Sequence, residues 1–277
     1  MVINMIKKVF WMYNVVKRYI FKDTRYFFLS IYRYFQNNYR NNAKFYTEKE
    51  LIDLIKAGKS ILRIGDGEIG LLHFCNAVYQ LCSDAIRNDF LKIIKNYNEN
   101  SQYVLGITEF VNYTNMELKN FVNTEGKKIN RFPVWRQLKI TYELIFNKNS
   151  KYFDALAFYK PGGFERIVLP YIKTKKVVIV TNKENKEKIM ASPLSSNTYL
   201  YITCENENAY ESRLKIQQDI INLIGDKGLP ISDFVVIFAG GLAKTIIYDM
   251  SHQGYQILDI GWGLKSYYMG TNIENLI

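Results

Sequence analysis

The second half of this chain alternates short apolar runs with helical segments, and that alternation limits the fold more than any other feature. Runs at 153–158, 176–181, 198–203, 234–239 and 255–260 are rich in Val, Ile, Phe and Tyr and have the length of strands. Stretches at 163–172, 208–224 and 242–252 carry apolar residues at helical spacing. Strands separated by helices pair in parallel, and a parallel sheet is covered on both faces. The expectation is a single Rossmann-like α/β domain with a mostly parallel sheet covered by helices on both faces.

The first half extends the pattern. Thr47 to Glu50 reads as a capping box opening a helix with Leu51, Leu54 and Ile55 on one face. Strands are expected at 60–64 and 103–107 and helices at 83–98 and 131–147. Asn208 to Glu211 is a further capping pattern, with Asn as the cap. No internal repeat or linker interrupts residues 44–277, so the expected division is an arm, 1–43, and one domain, 44–277.

Residues 60–70 read Ser-Ile-Leu-Arg-Ile-Gly-Asp-Gly-Glu-Ile-Gly. The apolar run ends in a turn formed by Gly65 and Gly67, with the carboxylates of Asp66 and Glu68 one residue apart. Open α/β sheets bind ligands at the C-terminal ends of their strands. A D-x-E pair there suits a hard divalent cation, Mg²⁺ or Mn²⁺, shared with substrate phosphates. Gly65, Gly67 and Gly70 also satisfy G-x-G-x-x-G. Two acids inside that turn would repel a pyrophosphate, however, and the acidic residue due about twenty positions later is missing. The plainer alternative makes Asp66 and Glu68 a helix N-cap and a first-turn acid.

Phe234 to Ala239 is the clearest buried strand, followed by Gly240-Gly241 and a helix beginning Leu242-Ala243-Lys244-Thr245. A glycine turn leading into a helix N-terminus offers free N–H groups to a phosphate, and Lys244 or Thr245 could add a donor. The alternative is an ordinary tight β–α turn. Gly254 to Gly261 then places Asp259 at another strand end.

These residues resemble a family. Arg63 to Glu68 is similar to the R-F-G-D-G-E signature of the GT-D-type glycosyltransferases, first catalogued as a bacterial domain of unknown function. Residues 239–249 resemble its L-G-P-T-A-T-V-L-A-Y-D stretch, 254–261 resembles G-Y-Q-A-I-D-I-G, and Asn208-Ala209-Tyr210 resembles N-A-F. The likeness covers roughly 45–265. It implies a hexosyltransferase using a nucleotide-sugar donor, probed first with UDP-sugars, and a divalent metal at Asp66 and Glu68. The implied acceptor is a bacterial surface glycan, a glycoprotein or a lipid-linked chain. Arg63, Gly65, Gly67, Gly240, Gly241, Lys244 and Thr245 are then the donor-binding candidates. Asp259 and Glu109, at strand ends, are candidates to hold the sugar or deprotonate the acceptor. The chain departs from the pattern at Gly241-Leu242, where Pro-Thr is common, at Trp262, where histidine is usual, and over 181–190, which lacks a Glu- and Arg-containing element.

Composition narrows the alternatives. Three cysteines without CxxC spacing suit a reducing cytoplasm, and two histidines make a histidine zinc site improbable. No G-x-S-x-G elbow occurs. The D-x-G-x-G at 259–263 imitates a methyltransferase loop but lies too near the C-terminus for the rest of such a fold. A non-enzymatic nucleotide-binding or membrane scaffold is a further alternative. The net charge of +11 is concentrated at the N-terminus, where residues 1–40 hold eight basic residues against Asp23 alone. Many aromatics are mixed among them. This arm suits a helix lying on an anionic membrane or, equally, one packed on protein. No nucleic-acid module occurs in the sequence, so no DNA or RNA partner is expected. The cysteine usage points to the cytoplasm, with peripheral attachment to the inner face of the plasma membrane as the arm's role on the membrane reading.

Overall fold

The computed structural model describes residues 24–36, 38–77, 79–124, 132–191, 199–239, 243–261 and 263–264. They fall into two compact units. One comprises residues up to 42 together with 110–146, and the other 43–109 with 147–277.

The larger unit holds the sheet. Its strands are β1 (Lys44–Phe45), β2 (Ser60–Arg63), β3 (Tyr103–Ile107), β4 (Lys151–Asp154), β5 (Lys176–Thr181), β6 (Leu200–Thr203), β7 (Phe234–Phe238) and β8 (Ile257–Asp259). They lie in the order β1-β4-β3-β2-β8-β7-β5-β6, and every pair is parallel. From β2 the chain moves outward through β3 to β4, and the later strands occupy the other half. β2 and β8 therefore meet where the strand order reverses, which is where open α/β sheets place their ligands.

Both faces are covered. Ile61, Val104, Phe153, Val177, Ile179, Val235, Ile237 and Leu258 form one core with Leu51 and Ile55 of helix α2 (Glu48–Lys56). The alternate residues Leu62, Leu105, Val178, Val236 and Ile257 are buried as well, as continuous apolar strands require. The shortest junction, between β2 and β8, is reinforced by a side chain. Ser60 Oγ donates to the Tyr255 carbonyl at 3.2 Å and accepts from the Ile257 N–H at 3.0 Å.

Several elements differ from expectation. β4 ends at Asp154 and not at 158, because the Asp154 carboxylate accepts the Leu156 N–H at 3.2 Å and turns the chain. The helix expected at 163–172 is two short ones, Gly163–Ile167 and Leu169–Ile172, with Pro170 opening the second. A helix at Lys183–Met190 was not anticipated. It is almost wholly polar, buries only Ile189, and is capped by Asn182, which accepts the Asn185 N–H at 2.8 Å. The helix expected from 208 begins at Arg213, and Asn208 is no cap, since its φ of +51° is left-handed.

In the smaller unit, helices α1 (Thr24–Tyr34), α5 (Asn115–Thr124) and α6 (Phe132–Ile145) carry the contacts. Here α3 and α4 denote Asp66–Leu72 and Asp84–Asn96 of the larger unit. Tyr26 packs on Ile140, and the Arg33 guanidinium holds Glu143 through Nε at 3.0 Å and Nη2 at 2.5 Å. Arg40 pairs with Glu117. Two of the arm's basic residues are thus neutralised within the protein. Residues 1–23, which hold most of the others, lie outside the described residues. No described helix is long and apolar enough to cross a membrane.

Candidate active site

At the junction of β2 and β8, four charged side chains form one buried chain. Arg63 ends β2 and Asp259 ends β8. Arg63 Nη2 lies 3.2 Å from Asp259 Oδ1, its Nε donates to the Asp259 carbonyl at 2.9 Å, and its backbone N–H reaches Oδ2 at 3.3 Å. Lys244 opens helix α11 (Lys244–Ser251; the intervening helices α7 to α10 are Gly163–Ile167, Leu169–Ile172, Lys183–Met190 and Arg213–Gly225). Its ammonium stands 2.9 Å from Asp259 Oδ2 and 3.1 Å from Glu68 Oε1. Arg63, Asp259, Lys244 and Glu68 are all at most 9% exposed.

Two cations balance two carboxylates, so the network is neutral as a whole. Burial pushes the Glu68 and Asp259 carboxyls up, but Lys244 and, for Asp259, Arg63 outweigh it, leaving both below their ordinary range. Burial pulls Lys244 down, and Asp259 and Glu68 raise it more. All four groups remain charged.

The motif glycines serve this network. A Cβ at Gly67 would come within 2.4 Å of the Tyr79 hydroxyl, which donates to Glu68 Oε1 at 2.7 Å. A Cβ at Gly261, whose φ is +49°, would stand 1.8 Å from Arg63 Nη2. Each glycine admits a side chain that holds the site together, where for Gly67 the sequence suggested a turn beside the donor.

Asp66 and Glu68 share a helix start but differ in surroundings. Gly65 is the cap residue and Asp66 the first residue of α3, in place of the Asp cap considered from sequence. Glu68 Oε2 accepts the Gly65 N–H at 2.8 Å, the return half of a capping box, while Oε1 takes Tyr79 and Lys244. Both Glu68 oxygens are therefore engaged, and a cation bound directly there would have to displace Lys244. Asp66 is partly exposed and accepts the Gly67 N–H at 3.0 Å. Of the two carboxylates it is the more accessible to solvent. Among the described residues no group of three or more acidic, His or Cys side chains is placed to hold a metal.

The remaining candidates are placed as follows. Thr245 is buried, and its hydroxyl has no hydrogen-bond partner among the described residues; the same holds for Thr108 at the end of β3. Gly240 and Gly241 lie outside the described residues. Glu109, just past β3, is half-exposed and belongs to a neighbouring cluster in which Lys160 stands 2.8 Å from Asp154 and 3.7 Å from Glu109. Burial and Asp154 raise the Glu109 carboxyl. The turn after β4 joins the two clusters, because its Ala155 carbonyl accepts from Arg63 at 3.2 Å and Tyr159 also bonds that guanidinium. Tyr79 and Tyr159 were not singled out in the sequence, where neither stands in a motif.

Strand order, charge network and helix start mark a candidate ligand site on an open parallel sheet, and similarity to known proteins gives its family. The glycosyltransferase GT-D fold family matches residues 61–271, and the chain belongs to it. The protein is a glycosyltransferase. No curated protein matches the chain. A structure described as a new glycosyltransferase (DUF1792) from Streptococcus sanguinis superposes with a TM-score of 0.65 at 18% identity, covering 83% of this chain and 87% of its own. Another, described as the highly conserved domain of unknown function 1792 with a distinct glycosyltransferase fold, gives 0.61 at 18% identity and 83% of each chain.

Proposed function

We propose that this glycosyltransferase takes its sugar from a nucleoside-diphosphate donor, with UDP-sugars the first to test, and passes it to a bacterial surface glycan, glycoprotein or lipid-linked acceptor. The observation that carries the reading is the junction of β2 and β8. There Lys244 and the Thr245 hydroxyl, which has no hydrogen-bond partner among the described residues, occupy the first turn of α11, whose N–H groups favour an anion. The diphosphate belongs against that turn.

Asp66 is the residue to hold a divalent cation, Mn²⁺ or Mg²⁺, in company with donor phosphates, and Glu68, two residues on, is engaged by Lys244 and Tyr79. Such a cation, when bound, offsets negative charge on the leaving diphosphate. Lys244 and Arg63 are neutralised by Glu68 and Asp259, so the network gives the region a fixed, preorganised arrangement of dipoles and no net positive charge.

Glu109 suits the acceptor's base better than Asp259 does. A base works best with a pKa near the working pH. Glu109 is raised and half-exposed, whereas Asp259 is depressed, buried and held by two cations. Asp259 instead anchors the site. The same contacts weigh against the methyltransferase alternative, since the Asp259 carboxylate is not presented to a ribose.

Screening nucleotide sugars for turnover and hydrolysis, with and without Mn²⁺, tests the reading. Cation-dependent release of one nucleoside diphosphate is expected, and binding without turnover of any donor would overturn it. We further propose that the basic residues among 1–23, and not Arg33 or Arg40, which pair with Glu143 and Glu117, hold the enzyme on anionic membrane from the cytoplasmic side. Co-sedimentation of the full chain with anionic vesicles at low salt should show binding that fades as salt rises, and no binding would end that part of the proposal.

A further inference from the structure

A second layer of contacts surrounds Tyr79. The turn that carries it is pinned by a segment more than a hundred positions away. The Asn208 N–H donates to the Tyr79 carbonyl at 2.8 Å, and Asn208 Oδ1 accepts the Leu81 N–H at 2.9 Å. Between these, the Tyr210 N–H donates to Gln80 Oε1 at 3.2 Å. The backbones of Ala77 and Gln80 bridge each other and close the turn. Tyr210 is fixed in its own right. Its hydroxyl donates to Asp89 Oδ2 at 2.7 Å on α4, and the Arg213 guanidinium lies 4.1 Å from its ring centre.

Asn208 makes both of its contacts by adopting a left-handed backbone, φ +51°. A non-glycine residue there is uncommon, and asparagine tolerates it best after glycine. The conformation turns the N–H and the side-chain oxygen toward the same turn, one to residue 79 and one to residue 81. The chain is thereby held at the Tyr79 carbonyl and again two residues on, and the Tyr79 hydroxyl crosses the space above Gly67 to Glu68.

We infer that Asn208–Tyr210 is a latch that positions Tyr79, and through Tyr79 the Glu68 carboxylate against Lys244, so that it sets the rate of sugar transfer without touching substrate. The inference rests on the proposed function for the rate, while the latch itself is a statement about geometry. Without the latch the Tyr79 hydroxyl loses its fixed place, and Glu68 loses one of the donors that orient it beside Lys244. The consequence falls on turnover more than on donor affinity, because the Lys244 ammonium and the α11 turn stay where they are.

The test separates geometry from rate. A single 3-fluorotyrosine is placed at position 79 of the full chain and its ¹⁹F resonance is recorded. Asn208→Ala is expected to shift and broaden that resonance, and Asn208→Asp, which keeps an acceptor oxygen and tolerates the backbone, is expected to restore it. An unchanged spectrum in Asn208→Ala overturns the latch. In turnover assays with the donor found by screening, Tyr79→Phe and Asn208→Ala should each lower kcat roughly tenfold, the scale of one lost charge-assisted hydrogen bond. The donor KM should stay nearly constant, and the double variant should be no slower than the worse single one. Additive losses, or a spectrum that responds while kcat does not, overturn the positioning role. Absence of turnover in the unaltered enzyme with every donor would sink the functional reading instead, and the ¹⁹F result then decides the latch alone. Should Asn208→Ala fold poorly, Asn208→Gly keeps the backbone conformation and lacks only the side-chain acceptor.

Discussion

Arg63 and Asp259 lie 196 positions apart yet meet through backbone and side chain together, the guanidinium taking both the carbonyl and the carboxylate of one residue. The pair joins the two central strands at the edge where substrate is expected. Removing either partner leaves a buried charge uncompensated, which typically costs about 3–5 kcal/mol. Arg63→Met and Asp259→Asn are each expected to destabilise on that scale. The double variant should cost clearly less than the two together, measured by denaturant unfolding.

Gly261 tests the same relationship from the side of packing. An alanine there puts a Cβ within 1.8 Å of Arg63 and forces a left-handed φ on a residue that resists it. Gly261→Ala should lose about 2–3 kcal/mol. Gly225→Ala is the control, since its added Cβ meets nothing within 4 Å at the end of α10. It should gain up to about 1 kcal/mol. Equal melting temperatures in the two variants would contradict this account.

Asp259 also fixes a pH dependence. Its folded pKa lies below the unfolded value, so its contribution is fully present above the ordinary carboxylate pKa, about 4. It is lost as pH falls through the folded value. Melting temperature should therefore drop steeply on acidification below about pH 4. In Asp259→Asn the slope should be shallower.

Asp66→Asn and Glu68→Gln should both abolish cation-dependent turnover, for different reasons. The Asp66 variant is expected to lose Mn²⁺ binding, read by electron paramagnetic resonance, at a cost in stability of no more than about 1 kcal/mol. Glu68→Gln removes a partner of buried Lys244 and should lower stability by about 3 kcal/mol. An equally stable Glu68→Gln protein would mean that Lys244 does not depend on it.

For Glu109, the raised carboxyl predicts a rising limb of kcat/KM above the ordinary glutamate range of about 4.3. Glu109→Gln should remove the limb together with most of the rate. A limb unchanged in the variant would assign the base elsewhere.

The strands were legible where several β-branched residues stand together. β3 and β5 match their apolar runs, and β2 and β7 differ from theirs by one residue. The charged helix 183–190 was not legible, because a helix that buries one side chain has almost no apolar period. Helix α5 carries a local signal at its start. Thr114 and Glu117 form a complete capping box, each side chain bonding the other's backbone N–H at 3.0 and 2.7 Å. At the site, Arg63, Asp66, Glu68, Lys244 and Asp259 announce themselves as charges beside strand ends. Their pairing does not, since which strands neighbour each other is a property of sheet order. Tyr79 and the role of Asn208 are invisible for a related reason. A loop tyrosine and a left-handed asparagine have no local pattern, and their meaning arises only when two distant loops touch.

The place of β8 between β2 and β7 has a consequence for how the molecule comes into being on the ribosome. While the chain is being made, β2 finds β3 early, and β7 finds β5 later, so two partial sheets form with bare inner edges. Neither edge can close until residues 257–259 have emerged. Pairings this distant in sequence form slowly, and open strand edges invite association with other chains. The charge network is thus completed by the last of the described strands to be synthesised. A nascent chain halted before it would expose both edges and hold Arg63 without its counter-charge.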